Sequence, residues 1–309
     1  MLWLLALPLA LAGLLLLLYL RSARPYDGAA SVAGYYDSWT GDQLLERLWG
    51  EHVHLGHYGD PPQRCDFRDA KARLVHELVR WGGLDQLPPG SCLLDVGCGI
   101  GGSARILARD YGFEVLAVSI SPAQIARART LTAPHLSCSY ALMDALNLDL
   151  PDASFAAVWS VEAGPHIPDK QGFADELLRV LQPGGRLIVA DWNRRDDRTQ
   201  PLSWPERLVM RQLLDQWGHP QFASIESFRE NLRASPHGSM AVETADWSRA
   251  TAPSWGESIL EGLRRPMAVL GLGPGALLQA LRESPTILLM GWAWGSGLMT
   301  FGVFRATRR

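Results

Sequence analysis

The chain has 309 residues, 47% hydrophobic and 20% charged, with a formal net charge of -3. That size and balance suit one large α/β domain with a cap, or two small domains, and the slight negative charge argues against bulk electrostatic binding of nucleic acid. Four cysteines (Cys65, Cys92, Cys98, Cys138) without a CxxC pair fit reduced thiols, not a disulfide framework or a cysteine-built metal site.

The first predicted element is the apolar run Leu2 to Leu20, which contains no charged residue. As a helix it would reach about 30 Å, the thickness of a bilayer's hydrocarbon core. No basic residue precedes it and no small-x-small site directly succeeds it, which argues against a cleaved signal peptide. Arg21 and Arg24 come next and favour a cytoplasmic position for the C-terminal side of the run. The expectation is a membrane anchor over 1–20, with the lipid bilayer as partner and the rest of the chain on the cytoplasmic face. Residues 21–33 are small and polar, a linker. A helix is predicted over 35–50, then a Gly- and Pro-rich loop over 51–62. The stripe Ala70, Leu74, Val75, Leu78, Val79 predicts an amphipathic helix over 66–81, ended by Gly82-Gly83.

From there strands and helices alternate. Strands are predicted over 92–96, 113–119, 135–142, 155–161 and 186–190. Helices are predicted over 102–111, 122–131 and 172–181, the second opened by Ser121 as N-cap with Pro122 behind it. Strands spaced by helices imply right-handed crossovers and a parallel sheet. Beyond residue 200, helices are predicted over 203–217, 225–233 and 254–264, and strands over 240–247 and 299–306. The apolar, glycine-punctuated stretch 286–304 fits a buried helix-to-strand passage better than a second membrane helix. The division expected is a helical lid over 34–83, a cofactor core over 84–200, and a part over 201–309 that completes the sheet and binds substrate.

The sharpest local signal is Leu94-Asp95-Val96-Gly97-Cys98-Gly99-Ile100-Gly101-Gly102 at a strand-to-helix junction. Glycine suits a tight turn passing close to a ligand, and Gly97, Gly99 and Gly102 also satisfy the GxGxxG dinucleotide pattern. Three features separate the two readings. The Asp95 carboxylate would repel a pyrophosphate but pair with a cationic amino group. Ser119 stands where a dinucleotide enzyme needs a carboxylate for the ribose. Asp144 after the third strand and the Leu181-Gln-Pro-Gly-Gly turn complete the pattern of a methyltransferase using S-adenosylmethionine. The cofactor residues expected are Asp95, Gly97, Gly99, Gly101, Ser119, Gln124, Asp144, Ala145, Ser160 and Tyr36. Gln124 either supplies the ribose contacts that Ser119 lacks or is an exposed residue in a plain helix cap.

Four blocks carry a family resemblance. They are Tyr36-Asp37-Ser38-Trp39, Trp49-Gly50-Glu51-His52-Val53-His54-Leu55-Gly56-His57-Tyr58-Gly59, Val161-Glu162-Ala163-Gly164-Pro165-His166-Ile167-Pro168-Asp169-Lys170, and Ala190-Asp191-Trp192-Asn193-Arg194-Arg195-Asp196-Asp197-Arg198. The chain resembles the methyltransferases of the tocopherol and plastoquinone pathways, and among them the bacterial enzymes that methylate 2-methyl-6-phytyl-benzoquinol. The γ-tocopherol and sterol methyltransferases are more distant cousins. The resemblance implies a class I methyltransferase fold with a seven-stranded sheet, an N-terminal transmembrane helix at a plasma or thylakoid membrane, and ring-carbon methylation of a prenylated quinol, with either a phytyl or a solanesyl tail.

Chemistry narrows the catalytic candidates. Methyl transfer from a sulfonium is governed by positioning and desolvation, and a ring carbon needs a neighbouring hydroxyl to lose its proton. His166 is the expected base, with Glu162 as its orienting partner or as a direct quinol ligand; in the alternative, His166 caps a loop and Glu162 holds the cofactor. Trp39 and Tyr58 are expected to close over the site, and Trp255 and Trp292 to line a tail groove together with Pro266, Met267 and Trp294. The three histidines of the 52–57 block lack a converging Cys or carboxylate set and are expected to form a lid loop without metal.

Overall fold

The computed structural model describes residues 13, 14, 17–41, 43–238 and 241–309. Its centre is a seven-stranded sheet in the order β3-β2-β1-β4-β5-β7-β6. The strands are β1 (Cys92–Val96), β2 (Glu114–Ser119), β3 (Cys138–Leu142), β4 (Phe155–Val161), β5 (Leu181–Arg194), β6 (Val242–Asp246) and β7 (Met299–Thr307). The first five pair in parallel, while β7 runs antiparallel between β5 and β6. β1 is buried on both faces from Leu93 to Val96, as a central strand with helices on either side must be.

Helices α1 (Gly28–Gly41) and α2 (Leu44–Trp49) precede α3 (Phe67–Gly82) on one side of the sheet. Asp66 caps α3 by accepting from the Arg68 and Asp69 N–H groups, and Gly83 ends it in the left-handed region. Helices α4 (Gly102–Tyr111), α5 (Pro122–Leu131) and α6 (Lys170–Arg179) make the crossovers. Two elements differ from expectation at the front. α1 begins inside the stretch read as a linker, and the single helix expected over 35–50 is two, because Gly41 ends the first and Gln43 takes a left-handed φ of 53° before the second.

After β5 come α7 (Trp204–Trp217) and α8 (Ile225–Ala234). Between β6 and β7 the chain leaves the sheet through α9 (Ser248–Thr251), α10 (Pro253–Arg264), α11 (Pro266–Leu270) and the long α12 (Pro274–Gly295). Parallel-sheet sites form beyond the C-terminal ends of the strands. Here that end of β1, β2 and β4 is roofed by α1, α2 and the α10–α12 excursion.

The expected N-terminal transmembrane helix is corrected. Among the described residues no helix is long and apolar enough to cross a membrane, and 1–12, 15 and 16 of the expected anchor lie outside those residues. Of the described part of that run, Tyr19 is tied to protein, its carbonyl accepting from Gln216 Nε2 at 2.8 Å and its hydroxyl lying 3.2 Å from Thr286 Oγ1, while Leu14, Leu17, Leu18 and Leu20 are exposed. The membrane-anchored placement of the catalytic part loses its support with the helix. α12, though apolar, carries Arg282 and Glu283 in its middle.

Candidate active site

A cavity of about 510 Å³ extends from the glycine loop past the ends of β4 and β5 to the α10–α12 excursion. At its first end, Gly97, Gly99 and Gly101 all have positive φ, 82°, 54° and 81°. The Gly97 and Cys98 N–H groups both donate to the Val118 carbonyl, at 2.9 and 3.0 Å. A Cβ on Gly97 would come within 2.4 Å of the Ala163 side chain, so only glycine lets the loop lie this close to the end of β4.

Asp95 is 2% exposed, and its Oδ2 has no hydrogen-bond partner in the protein. Burial pushes its carboxyl up to about 7. A buried carboxylate without a donor costs free energy until a cation reaches it, so this end of the cavity is built for an ammonium group. Ser119 Oγ donates to Gln124 Oε1 at 2.7 Å and also accepts from the Ser121 N–H. Gln124 is 5% exposed and lines the cavity, which sets aside its reading as an exposed cap residue. Asp144 and Ala145 line the same end. Asp37 of α1 accepts from Ser121 Oγ and from the Ala123 N–H, tying the lid to the start of α5.

The middle of the cavity is held by the end of β4. Glu162 has a left-handed φ of 58°, and its Oε1 accepts from the Leu55 N–H at 2.7 Å. Burial pushes its carboxyl up to about 8, against the pull of that bond and of the Lys71 ammonium. His166 ends a single 3-10 turn, Gly164–His166. Its Nε2 lies 2.8 Å from the Tyr36 hydroxyl, its Nδ1 is unpartnered, and burial together with the Lys170 charge lowers its pKa to about 3. Beneath the turn, Lys170 donates to the Gly164 carbonyl at 2.7 Å and to that of Ile167, while Asp191 accepts from the Gly164 N–H at 3.2 Å. Lys71, also buried, donates to the His52 carbonyl at 2.7 Å and lies 4.5 Å from the Phe67 ring centre.

The far end is aromatic, then aliphatic. Trp217 and Trp255 stack at 6.4 Å, Trp192 meets Trp255 edge-on at 5.3 Å, and His219 sits 4.2 Å from His166. Beyond them Ile259, Leu263, Pro266, Leu270, Leu277 and Ile287 form an apolar arm.

The structure brings most of the expected residues to this cavity: Tyr36, Trp39, Asp95, Gly97, Gly99, Ser119, Gln124, Asp144, Ala145, Glu162, His166 and Trp255. Glu162 and His166 share the cavity, yet each is held by another partner, Leu55 and Tyr36. Four residues lie elsewhere. Ser160 is fully buried and donates to the Val96 carbonyl across the sheet, and Gly101 forms the N-cap of α4 against the Tyr140 hydroxyl. Tyr58 is packed in the core with its N–H on the Ala250 carbonyl, and Trp292 is 50% exposed on the outer side of α12. Met267, expected in the tail groove, is exposed, and Trp294 is buried with its indole N–H on the Ser248 carbonyl. In the histidine block, His54 Nδ1 lies 2.8 Å from the Leu55 carbonyl and His54 Nε2 3.0 Å from His52 Nδ1. Sequence reasoning missed His219, Lys71, Trp192 and Trp217. The first lies in Gly218-His219-Pro220, where a helix-ending glycine is the only local signal.

A methyltransferase-domain family model matches residues 94–189. The chain is 56% identical over 292 residues to the 2-methyl-6-phytyl-1,4-hydroquinone methyltransferase of Synechocystis, a match covering 94% of this chain and 92% of that one. It is 32% identical over 288 residues to the chloroplastic tocopherol O-methyltransferase of Arabidopsis thaliana, covering 88% and 80%. Among solved structures, geranyl diphosphate C-methyltransferase from Streptomyces coelicolor superposes with a TM-score of 0.68 at 18% identity, covering 91% of this chain and 97% of that one. At that identity the likeness establishes the fold.

Proposed function

Since the chain belongs to the family of 2-methyl-6-phytyl-1,4-hydroquinone methyltransferase, we propose that it methylates a ring carbon of a prenylated 1,4-hydroquinone with a phytyl or solanesyl tail. The methyl donor is S-adenosylmethionine, whose sulfonium supplies an activated methyl group when bound. One observation supports this reading above the rest: a continuous cavity joins the unpartnered Asp95 and its glycine loop to an aromatic wall and an apolar arm, with Glu162 between.

Asp95 would hold the donor's amino group, the 97–102 loop would pass along its backbone side, and Ser119 with Gln124 would meet the ribose. Asp144 and Ala145 would border the adenine. Residues 34–83 act as lid, 84–200 as cofactor core, and 201–309 as the part that completes the sheet and encloses substrate. Trp192, Trp217 and Trp255 would form the wall against which the ring lies and from which water is excluded, while the α10–α12 arm takes the tail.

Glu162 is the better-matched base. A phenol titrates near 10, so a carboxyl held at about 8 takes its proton far more readily than an imidazole held at about 3. His166, fixed by Tyr36, then orients the ring instead of ionising it. The test offers radiolabelled S-adenosylmethionine to the purified protein with 2-methyl-6-phytyl-benzoquinol, its solanesyl analogue and γ-tocopherol. Label in either quinol supports the reading; label in γ-tocopherol alone moves the protein to the tocopherol-methylating relatives, and label in none sinks the substrate claim.

A further inference from the structure

Lys71 stands in the second turn of α3, is 2% exposed and lines the cavity. The contacts of its ammonium are neutral. They are the His52 carbonyl at 2.7 Å, the Val53 carbonyl at 3.5 Å, and the Trp49 and Phe67 rings, 4.8 and 4.5 Å away. A buried ammonium is costly where only neutral groups meet it. A leucine would fill the same helix position, so the charge needs a reason.

The loop that receives this ammonium runs on to Glu162. His52 and Val53 accept from Lys71, and the Leu55 N–H, a short step along the same strap, donates to Glu162 Oε1 at 2.7 Å. The strap lies flat on α3: the His57 N–H donates to the Ala70 carbonyl at 2.8 Å, and a Cβ on Gly56 would come within 2.7 Å of the Ala70 side chain. At its start Glu51 pairs with Arg105 of α4 at 2.8 Å. One short stretch of backbone, 52–55, therefore carries an ammonium at one end and a carboxylate at the other. Both groups face one cavity, away from bulk water, where a charge is felt more strongly than in solvent. Burial raises Glu162 to about 8 and lowers Lys71 to about 7, and each charge resists the other's loss. Of the other groups around the pair, Asp191 of β5 opposes ionisation of Glu162, and Arg68 of α3 repels the Lys71 charge. Burial keeps Tyr36 of α1 protonated, and His52 and His166 neutral. Lys170 of α6 is turned to the Gly164 and Ile167 carbonyls and to Asp191. The cation that acts on Glu162 is Lys71.

We propose that Lys71 is a positioning residue for the base: its ammonium pins the 52–55 strap to α3 and stabilises Glu162 as a carboxylate, ready for the phenolic proton before substrate arrives. The inference rests on the reading of Glu162 as the base. Lys71 acts through that carboxylate and does not touch the reacting atoms. Its removal should therefore cost most where Glu162 is hardest to ionise, and nothing once Glu162 is gone.

The test compares the full-length wild type with Lys71→Met, Lys71→Gln, E162Q and the K71M/E162Q double variant. It reads kcat/KM for 2-methyl-6-phytyl-benzoquinol against pH, with circular dichroism and S-adenosylmethionine affinity reporting on the fold. Glutamine can still donate to the His52 carbonyl but carries no charge, and methionine does neither. In both single variants of Lys71 the rising limb should move up by about one pH unit. For K71Q that is a loss of about tenfold near pH 7, shrinking to within about threefold near pH 9.5. In the E162Q background K71M should cost less than about twofold, since two groups that act as a unit are not additive. A limb unmoved in K71Q would overturn the proposal. So would a K71M loss that is uniform across pH and as large in the E162Q background, which would make the lysine a structural strut. Should K71M not fold, the limb of K71Q decides. A wild type without a limb near 8 defeats the reading of Glu162 as base, whereas a limb present but unmoved defeats this inference alone. A wild type that binds S-adenosylmethionine but methylates no prenylated hydroquinone defeats the functional reading beneath both.

Discussion

Replacing Glu162 by Gln tests where the phenolic proton goes. With the carboxyl at about 8 and the His166 imidazole at about 3, full transfer from a phenol near 10 costs about 3 kcal/mol to Glu162 and about 10 kcal/mol to His166. The difference, about 7 kcal/mol, is worth ~10⁵-fold in rate if the proton moves completely. Partial transfer in the transition state brings the usual general-base contribution to about 10²–10⁴-fold. Glutamine still accepts from the Leu55 N–H, so the loop it anchors stays in place. The expected result is a fall in kcat of about 10²–10⁴-fold with S-adenosylmethionine affinity within about threefold. The pH dependence gives a second reading. Only the ionised carboxylate accepts a proton, so wild-type kcat/KM, which reports the groups of the free enzyme, should rise about tenfold per pH unit up to about 8 and then level. E162Q should lack that limb. Initial rates of label transfer between about pH 6 and 9.5 measure both effects, with circular dichroism reporting on the fold. More than about a tenth of wild-type kcat remaining, or an unchanged limb, would refute the assignment and return the proton to His166.

Asp95→Asn should weaken S-adenosylmethionine binding by about 10- to 100-fold in calorimetry, because a neutral amide replaces a charge-assisted bond. The same substitution should raise the melting temperature of the ligand-free protein more at pH 8 than at pH 5. The folded Asp95 holds its proton up to about 7, while the unfolded chain releases it near 3.9. Stability is therefore lost as pH rises through that window, by about 4 kcal/mol in full, and asparagine removes the loss; equal shifts at both pH values would count against it. In the apolar arm Leu270 is half-exposed, and Leu270→Glu should lower kcat/KM for the phytyl substrate by about 10-fold and leave a tail-less dimethylhydroquinone unaffected, since the tail would then cover a charge in place of apolar surface worth about 1 kcal/mol. A similar loss on both substrates would place the tail elsewhere.

The stretch from β1 to α5 was legible nearly to the residue, because local patterns decide it: an apolar strand, a glycine loop, and Ser-Pro at a helix start. At Leu181-Gln-Pro-Gly-Gly the pattern misled, since β5 already pairs at Leu181 through a bulge opposite Phe155 and Ala157. Asp95 and the glycines announce themselves, as ligand-facing backbone demands particular residues. Ser160 does not, because a strand hydroxyl looks the same whether it faces a ligand or, as here, donates to the Val96 carbonyl. Trp292 sits on a helix apolar almost all round, so its phase gave no inner side, and it faces out. His219 reaches the site only through tertiary packing on His166, far from it along the chain. The anchor shows the limit of composition. Apolarity in Leu2 to Leu20 says that the run avoids water, not what covers it; of its described end only Tyr19 is tied to α7 and α12, while Leu17, Leu18 and Leu20 stay exposed.

The α9–α12 excursion leaves the sheet after Asp246 and returns at Met299, on two strands that are direct neighbours, with Asp246 paired to Gly302. Its ends are therefore clamped by ladder hydrogen bonds whatever its length, and lengthening a loop between fixed ends costs little. The residues proposed to meet the tail travel together in one exchangeable insert, while Asp95, Glu162 and His166 belong to the other half of the sheet. Such an architecture lets a lineage retune which lipid it accepts by lengthening, shortening or replacing one cassette, with the methyl-transfer centre inherited intact.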